Sequence, residues 1–190
     1  MKDQIIVVSQ NLLKYNIDVP LNAILRVNLA WHKNLNSVKE LLGEYEAYRI
    51  FLDVPIGRKK PPNFEHSFKG IIELIKEFSN IEYVAISNVE SSKDVYYFRR
   101  NIFMEEFNVK IVPKIETYAG VEASDEIISA LNYHPAVLML DHQDLYSDLV
   151  RLNKEEYYLN IVDILIATCK KMDAKLLRTI GVIFSTEEIK

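Results

Sequence analysis

Apolar residues along this chain fall into two rhythms. Runs that are apolar almost throughout recur seven times, as "QIIVVS", "AILRVNL", "YRIFLDVPI", "EYVAISN", "VKIVPKIE", "AVLMLD" and "KLLRTIGVIF". A strand wetted on one side alternates polar and apolar residues, whereas a strand covered on both faces does not. These runs therefore predict the buried strands of a parallel sheet. Between them lie stretches with apolar residues at helical spacing: "NSVKELLGEYEAY", "SFKGIIELIKEF", "SKDVYYFRRNIFMEEF", "ASDEIISAL" and "EEYYLNIVDILIATCKKM". Ser92 and Ser124 stand before acidic first turns, the place of a helix N-cap.

Strand and helix patterns in alternation predict an α/β fold with a parallel sheet. An open doubly wound sheet that binds a dinucleotide wants G-x-G-x-x-G after its first strand, and "VVSQNLLKYN" contains no glycine. Polar residues instead close several different strands: Arg26 and Asn28, Asp53, Ser87 and Asn88, Lys114 and Glu116, Asp144, and Thr179. A (β/α)8 barrel builds its site in this way, at the carboxyl rim of the strands. The expected architecture is a TIM-type barrel, incomplete or seven-stranded. Unpaired strand edges are usually covered, which makes a homodimer the expected assembly.

A chain of 190 residues reads as one domain, residues 1–190, long enough to bury a core. The net charge of −4 argues against nucleic acid as a partner, because phosphate binding needs a concentrated basic face. The one basic cluster, "GRKKPP", is too short to reverse that, and it reads as a rim loop. A single cysteine, Cys169, inside a helical pattern is a small buried residue and forms neither an internal disulfide nor a zinc site. No apolar run has the length of a membrane span. A reduced, cytoplasmic protein is the expectation.

The chemistry concentrates at the strand ends. Glu116 and Asp144, placed on neighbouring rim positions, would offer hard oxygen ligands to a divalent ion such as Mg²⁺ or Mn²⁺. Helix capping or pairing with surface lysines would explain the same two acids. Lys114 lies two residues before Glu116 and so shares its face of the strand. It would stabilise charge on a bound oxo acid or shuttle a proton, or it would form a plain ion pair with Glu116. Arg26 suits a carboxylate or phosphate, or serves as a structural arginine. His32, His66 and His134 are expected to face solvent; His142, two residues before Asp144, would share its face if the strand continued that far.

"VPKIETYAGVEASDEI" resembles the "KIE…GV…DEI" segment that follows the fifth barrel strand of pyruvate kinase. Further likenesses run in the same order. "ILRVNLAW" resembles "VVRLNFSH", and "IFLDVPIGRK" resembles "ILLDLPGPKIR". "EYVAISNVESSKDV" is similar to "DYIALSFVRSAEDV", and "VLMLDHQDL" to "IMVARGDL". The likeness spans Ile5 to Thr179. It implies a pyruvate kinase-like barrel with Mg²⁺ held by Glu116 and Asp144. Lys114 would stand beside the transferring phosphoryl or the enolate, and Arg26 would contact substrate. Asn28 and Asp53 would lie near a monovalent-cation site, and Thr179 would take the place of the substrate-binding threonine. The departures are specific. Ala30 and Val54 alter the potassium site, and His142 and Gln143 alter the cradle for the oxo-acid carboxylate. The lid domain of that family has no counterpart between "LDVPIGRKKPP" and "EHSFKGIIELIKEF", and a barrel without the family's C-terminal domain is the expectation. "MLDHQDLYSDL" is also similar to the "GxEDLxxDLG" signature of citrate-lyase β-subunits and 2-oxo-acid aldolases, whose barrels need no lid. These resemblances together imply a Mg²⁺-dependent enzyme that handles a pyruvate-like oxo acid through its enolate, with carbon–carbon lyase or aldolase chemistry. Phosphoryl transfer with a partner-supplied lid, and a non-catalytic binding or scaffold protein, are the alternatives.

Overall fold

A computed structural model describes residues 5–15, 19–56, 64, 66–102 and 107–178. Seven strands form one sheet, all parallel and in chain order. They are β1 (Val7–Ser9), β2 (Ile24–Asn28), β3 (Arg49–Val54), β4 (Ile81–Ile86), β5 (Lys110–Ile115), β6 (Val137–Leu140) and β7 (Lys175–Arg178). A 3-10 helix, Gln10–Tyr15, joins β1 to β2. The later crossovers carry α1 (Leu35–Glu44), α2 (Phe68–Glu77), α3 (Ser92–Ile102), the pair α4 (Tyr118–Glu122) and α5 (Ser124–Ser129), then α6 (His142–Arg151) and α7 (Tyr158–Lys171). The strand order never reverses, which rules out the doubly wound arrangement. "GRKKPP" falls outside the described residues.

Period-two alternation sorts the strand residues onto two faces. Leu25, Val27, Leu52, Val84, Ile111, Leu138 and their like face the helices and share one core with them. The alternate positions Ile24, Phe51, Tyr83, Ala85, Val112, Val137 and Met139 form a second core on the other face. Among the described residues no helix covers that face, yet Ile24, Phe51, Ala85 and Val112 are fully buried. The sheet therefore curls on itself as a half-barrel and buries its own concave side. Ile5 and Val7 at one end of the chain and Leu177 at the other pack on the same inner cluster. Tyr133 packs there too, its hydroxyl donating to the Ile111 carbonyl at 2.6 Å.

Local chemistry sets the helix boundaries. Asn34 and Ser67 cap α1 and α2, their side chains accepting from Ser37 N and Gly70 N. Ile71, Leu74 and Ile75, at helical spacing, bury the inner stripe of α2. Ser92 and Ser124, expected as caps, are instead the first helical residues of α3 and α5. Asp94 takes up the N–H groups of Glu90 and Ser91 ahead of α3, and Ala123 precedes α5 without a side-chain bond. Two helices, α4 and α6, fall where the sequence pattern gave a strand end or a loop. Cys169 is buried in α7, and burial pushes its thiol up to about 11. Among the described residues no helix is long and apolar enough to cross a membrane.

Gly120 marks a place where helix and loop approach closely. A Cβ there would lie 2.6 Å from the Val89 carbonyl oxygen, while one at Gly43 in α1 meets nothing within 4 Å. Gly120→Ala is expected to destabilise the protein by about 1–3 kcal/mol. Gly43→Ala should stabilise it by about 0.5–1 kcal/mol. Urea unfolding of the two variants checks the contrast, and equal effects would contradict the packing described.

Candidate metal centre at the carboxyl end of the sheet

Concave-face positions become polar at the carboxyl ends of the strands. Arg26 follows Ile24 on β2, Asp53 follows Phe51 on β3, and Lys114 follows Val112 on β5, with Glu116 just past the strand's end. Asp53 and Lys114 are 1% exposed and Glu116 4%. Charges this deep persist only when paired, and these pair in an alternating chain. Arg26 grips Asp53 Oδ2 through Nε at 3.0 Å and also through Nη2. Lys114 Nζ lies 2.9 Å from Asp53 Oδ1, off the hydrogen-bond axis, as an ion contact. The same ammonium is 3.2 Å from Glu116 Oε1.

Glu116 sits just beyond β5, where backbone bonds gather neighbouring loops around it. Val89 N donates to the Lys114 carbonyl at 3.4 Å and Asp141 N to the Ile115 carbonyl at 3.1 Å. Asn88 adopts φ 53°, a left-handed conformation that asparagine tolerates. Its N–H donates to Glu116 Oε2 at 2.6 Å. Behind Glu116, Thr117 caps α4, and Asp148 of α6 accepts from Tyr118 N at 2.9 Å. That last bond ties the start of α4 to α6, the helix that carries the remaining acids.

Asp144, expected to close a strand beside Glu116, lies instead in the first turn of α6. The carboxylate that ends β6 is Asp141. Its Oδ1 caps α6 by accepting from Gln143 N and Asp144 N, both at 3.2 Å, and Oδ2 stays outside the cap. Glu116, Asp141 and Asp144 each offer an oxygen, and these oxygens all lie within 4.8 Å of one another. Ligands placed about 2.0–2.5 Å from one cation span such a separation, and carboxylate oxygens suit Mg²⁺, Mn²⁺ or Ca²⁺. Arg26 and Lys114 pair with Asp53 and Glu116, and Asp141 and Asp144 add further carboxylate oxygens beside them. The residues present therefore fit a hard divalent cation. Asp141 was missing from the sequence-derived pair because "DHQD" reads as a strand running on. The signal that finds it is Asp at an N-cap with Leu145 and Leu149 four apart behind it.

Electrostatics divides the acids. Burial would push Asp53 up, but Lys114 and then Arg26 outweigh it and hold its carboxyl at about 2. Burial would pull Lys114 down, yet Asp53 and Glu116 more than compensate and raise it, so it stays an ammonium. Arg26 is likewise raised, its burial outweighed by Asp53. Glu116 moves the other way from Asp53: burial raises it, and neither Lys114 nor the Asn88 N–H fully offsets that. Glu116 is thus the buried carboxylate with most to gain from a metal ion.

The other expected site residues are placed differently. Asn28 spends its Oδ1 on Ala30 N at 3.0 Å, and its own N–H donates to Gln10 Oε1 at 2.8 Å. Gln143 is exposed in the first turn of α6, its N–H donating to Asp141 Oδ1. Thr179 lies outside the described residues. His142 opens α6 rather than sharing a strand face with Asp144; its Nδ1 meets the Tyr158 hydroxyl and its Nε2 accepts from Arg178 Nε at 3.3 Å. His32 and His66, expected in solvent, are half-buried. His32 bridges Gln10 and Ser37, and His66 donates to the carbonyls of Leu29 and His32. His134 is exposed and lies 3.0 Å from Asp173.

Comparison with models of known protein families gives no match, and comparison with curated proteins gives none.

The depressed Asp53 carboxyl makes stability depend on pH in a defined window. The group is charged in the folded state well below its ordinary value of 3.8. Its contribution of about 2 kcal/mol is therefore complete above pH 3.8 and lost as pH falls through about 2. Asp53→Asn, which leaves two cations sharing one neutral group, is expected to cost about 3–5 kcal/mol at pH 7. Chemical unfolding across this range should show the gap between wild type and variant narrowing between about pH 4 and pH 2. A gap that stays constant would contradict the pairing.

Proposed function

We propose that this chain is a lidless, pyruvate kinase-like TIM-type barrel that binds Mg²⁺ or Mn²⁺ and a pyruvate-like oxo acid. Its reaction is the making or breaking of a carbon–carbon bond through the enolate. One observation carries the reading: the oxygens of Glu116, Asp141 and Asp144 converge within 4.8 Å beside a buried lysine and an arginine. The strand order and the curl of the sheet also agree with an incomplete barrel of that type.

A bound divalent cation would supply Lewis-acid polarisation of the oxo group. The protein's own groups do the rest. Lys114, kept charged by two carboxylates, offers fixed positive charge to a developing enolate oxygen rather than acting as a base. Arg26 is clamped to Asp53 through Nε and Nη2, and Nη1 is free of any partner among the described residues, open to a substrate oxygen. Only residues 55–67 separate β3 from α2, which leaves no room for a lid domain. Phosphoryl transfer needs water excluded, so lyase or aldolase chemistry is the better fit.

Thermal unfolding with Mn²⁺ and then oxalate, a mimic of the enolate, tests the reading. Wild type is expected to gain about 3 kcal/mol when Mn²⁺ reaches a hundredfold excess over its dissociation constant, and more with oxalate. Glu116→Gln removes a ligand and should abolish that gain. The metal-free variant is expected to be less stable than wild type at pH 7, because Lys114 keeps only Asp53 as a buried counter-charge, so the readout is the gain on adding Mn²⁺ to each protein. An Mg²⁺-supported lyase assay on several oxo acids completes the test. Absence of both stabilisation and turnover would overturn the proposal.

A further inference from the structure

We infer that Asp53 is a positioning residue: it shares Lys114 with Glu116, so that the ammonium is not committed to Glu116 alone, and it pins Arg26. Glu116 is then available to a cation, and the open edge of the guanidinium to that cation's ligand. The inference rests on the divalent-cation reading above and adds a role for a residue that touches neither the cation nor substrate.

The geometry is a competition. Lys114 Nζ lies between two buried carboxylates, 2.9 Å from Asp53 Oδ1 and 3.2 Å from Glu116 Oε1. Without Asp53 the ammonium would have a single buried counter-charge, Glu116. An ammonium committed to Glu116 alone would compete more strongly with a metal ion for that carboxylate. Asp53 weakens this competition by offering Lys114 a second, nearer carboxylate oxygen while its Oδ2 holds Arg26.

The resemblance to pyruvate kinase implies a different task for Asp53, beside a monovalent cation. The donor set does not fit one. Both oxygens of Asp53 face protein cations, and Oδ1 of Asn28 is turned to Ala30 N. An added monovalent ion would sit against an ammonium and a guanidinium. The protein's own positive groups fill that position instead.

A double-mutant cycle read by Mn²⁺ binding, with paramagnetic resonance titration as the probe, tests the role. Asp53→Asn should weaken Mn²⁺ binding about tenfold, because Lys114 closes on Glu116. Adding Lys114→Met to it should restore affinity to within about threefold of Lys114→Met alone, since Asp53 acts on the metal only through Lys114. Oxalate affinity for the Mn²⁺-loaded double variant should stay about tenfold below that of Lys114→Met, as Arg26 has lost its clamp. If Asp53→Asn does not fold, the comparison of Lys114→Met with the double variant decides alone. Wild-type Mn²⁺ binding that Asp53→Asn leaves unchanged, or a double variant still tenfold weaker than Lys114→Met, overturns the inference and spares the metal centre. A wild-type protein that takes up no Mn²⁺ overturns both.

Discussion

Lys114 is held as an ammonium almost out of reach of water, and the carboxyl end of the sheet is arranged around that charge. Removing such a group from water costs several kcal/mol. The cost is offset by Asp53 on one side and Glu116 on the other, at 2.9 and 3.2 Å. Asp53 in turn depends on Arg26, and Glu116 on the Asn88 N–H. Each member is tolerable only because its neighbours are present. The chain Arg26–Asp53–Lys114–Glu116 therefore behaves as one unit, anchored on three strands and ending where two further acids, Asp141 and Asp144, begin.

The fold makes this possible by a simple device. A curled parallel sheet buries both faces, so its concave positions are apolar for most of their length. Tyr133 fills the amino end of the inner core. At the carboxyl ends the concave positions Arg26, Asp53 and Lys114 carry charge, and there the helices begin. Caps and loop bonds then decide what surrounds Glu116: Asn88 through a left-handed turn, Asp141 as the cap of α6, and Asp148 as the tie between α4 and α6. Position in the site follows from ordinary ways of ending strands and starting helices.

Much of this was legible in the residues. All seven strands could be read because two-sided burial leaves an uninterrupted apolar signal. Lys114 and Glu116 could be placed on one face because the strand period is two. Asp53 and Arg26 were visible as strand-end charges, but their pairing was not, because which neighbours meet across a sheet depends on register and curl. Asp141 was overlooked and Asp144 misplaced for one reason. The apolar run "AVLML" passes straight into a helix, and nothing in its composition marks the change until Leu145 and Leu149 repeat at helical spacing. Asn88 was seen as a polar strand end; that its backbone would serve Glu116 depends on a positive φ, which composition only hints at.

The central claim is that one divalent ion belongs among Glu116, Asp141 and Asp144 with its ligand against Arg26. A crystal grown with Mg²⁺ and oxalate tests it most directly. The account predicts a single ion coordinated by Glu116 and Asp144, with Asp141 in contact directly or through water, and an oxalate oxygen at the open edge of the Arg26 guanidinium. Oxalate and metal absent from the carboxyl end of the sheet, with Lys114 still bridging Asp53 and Glu116, would contradict it.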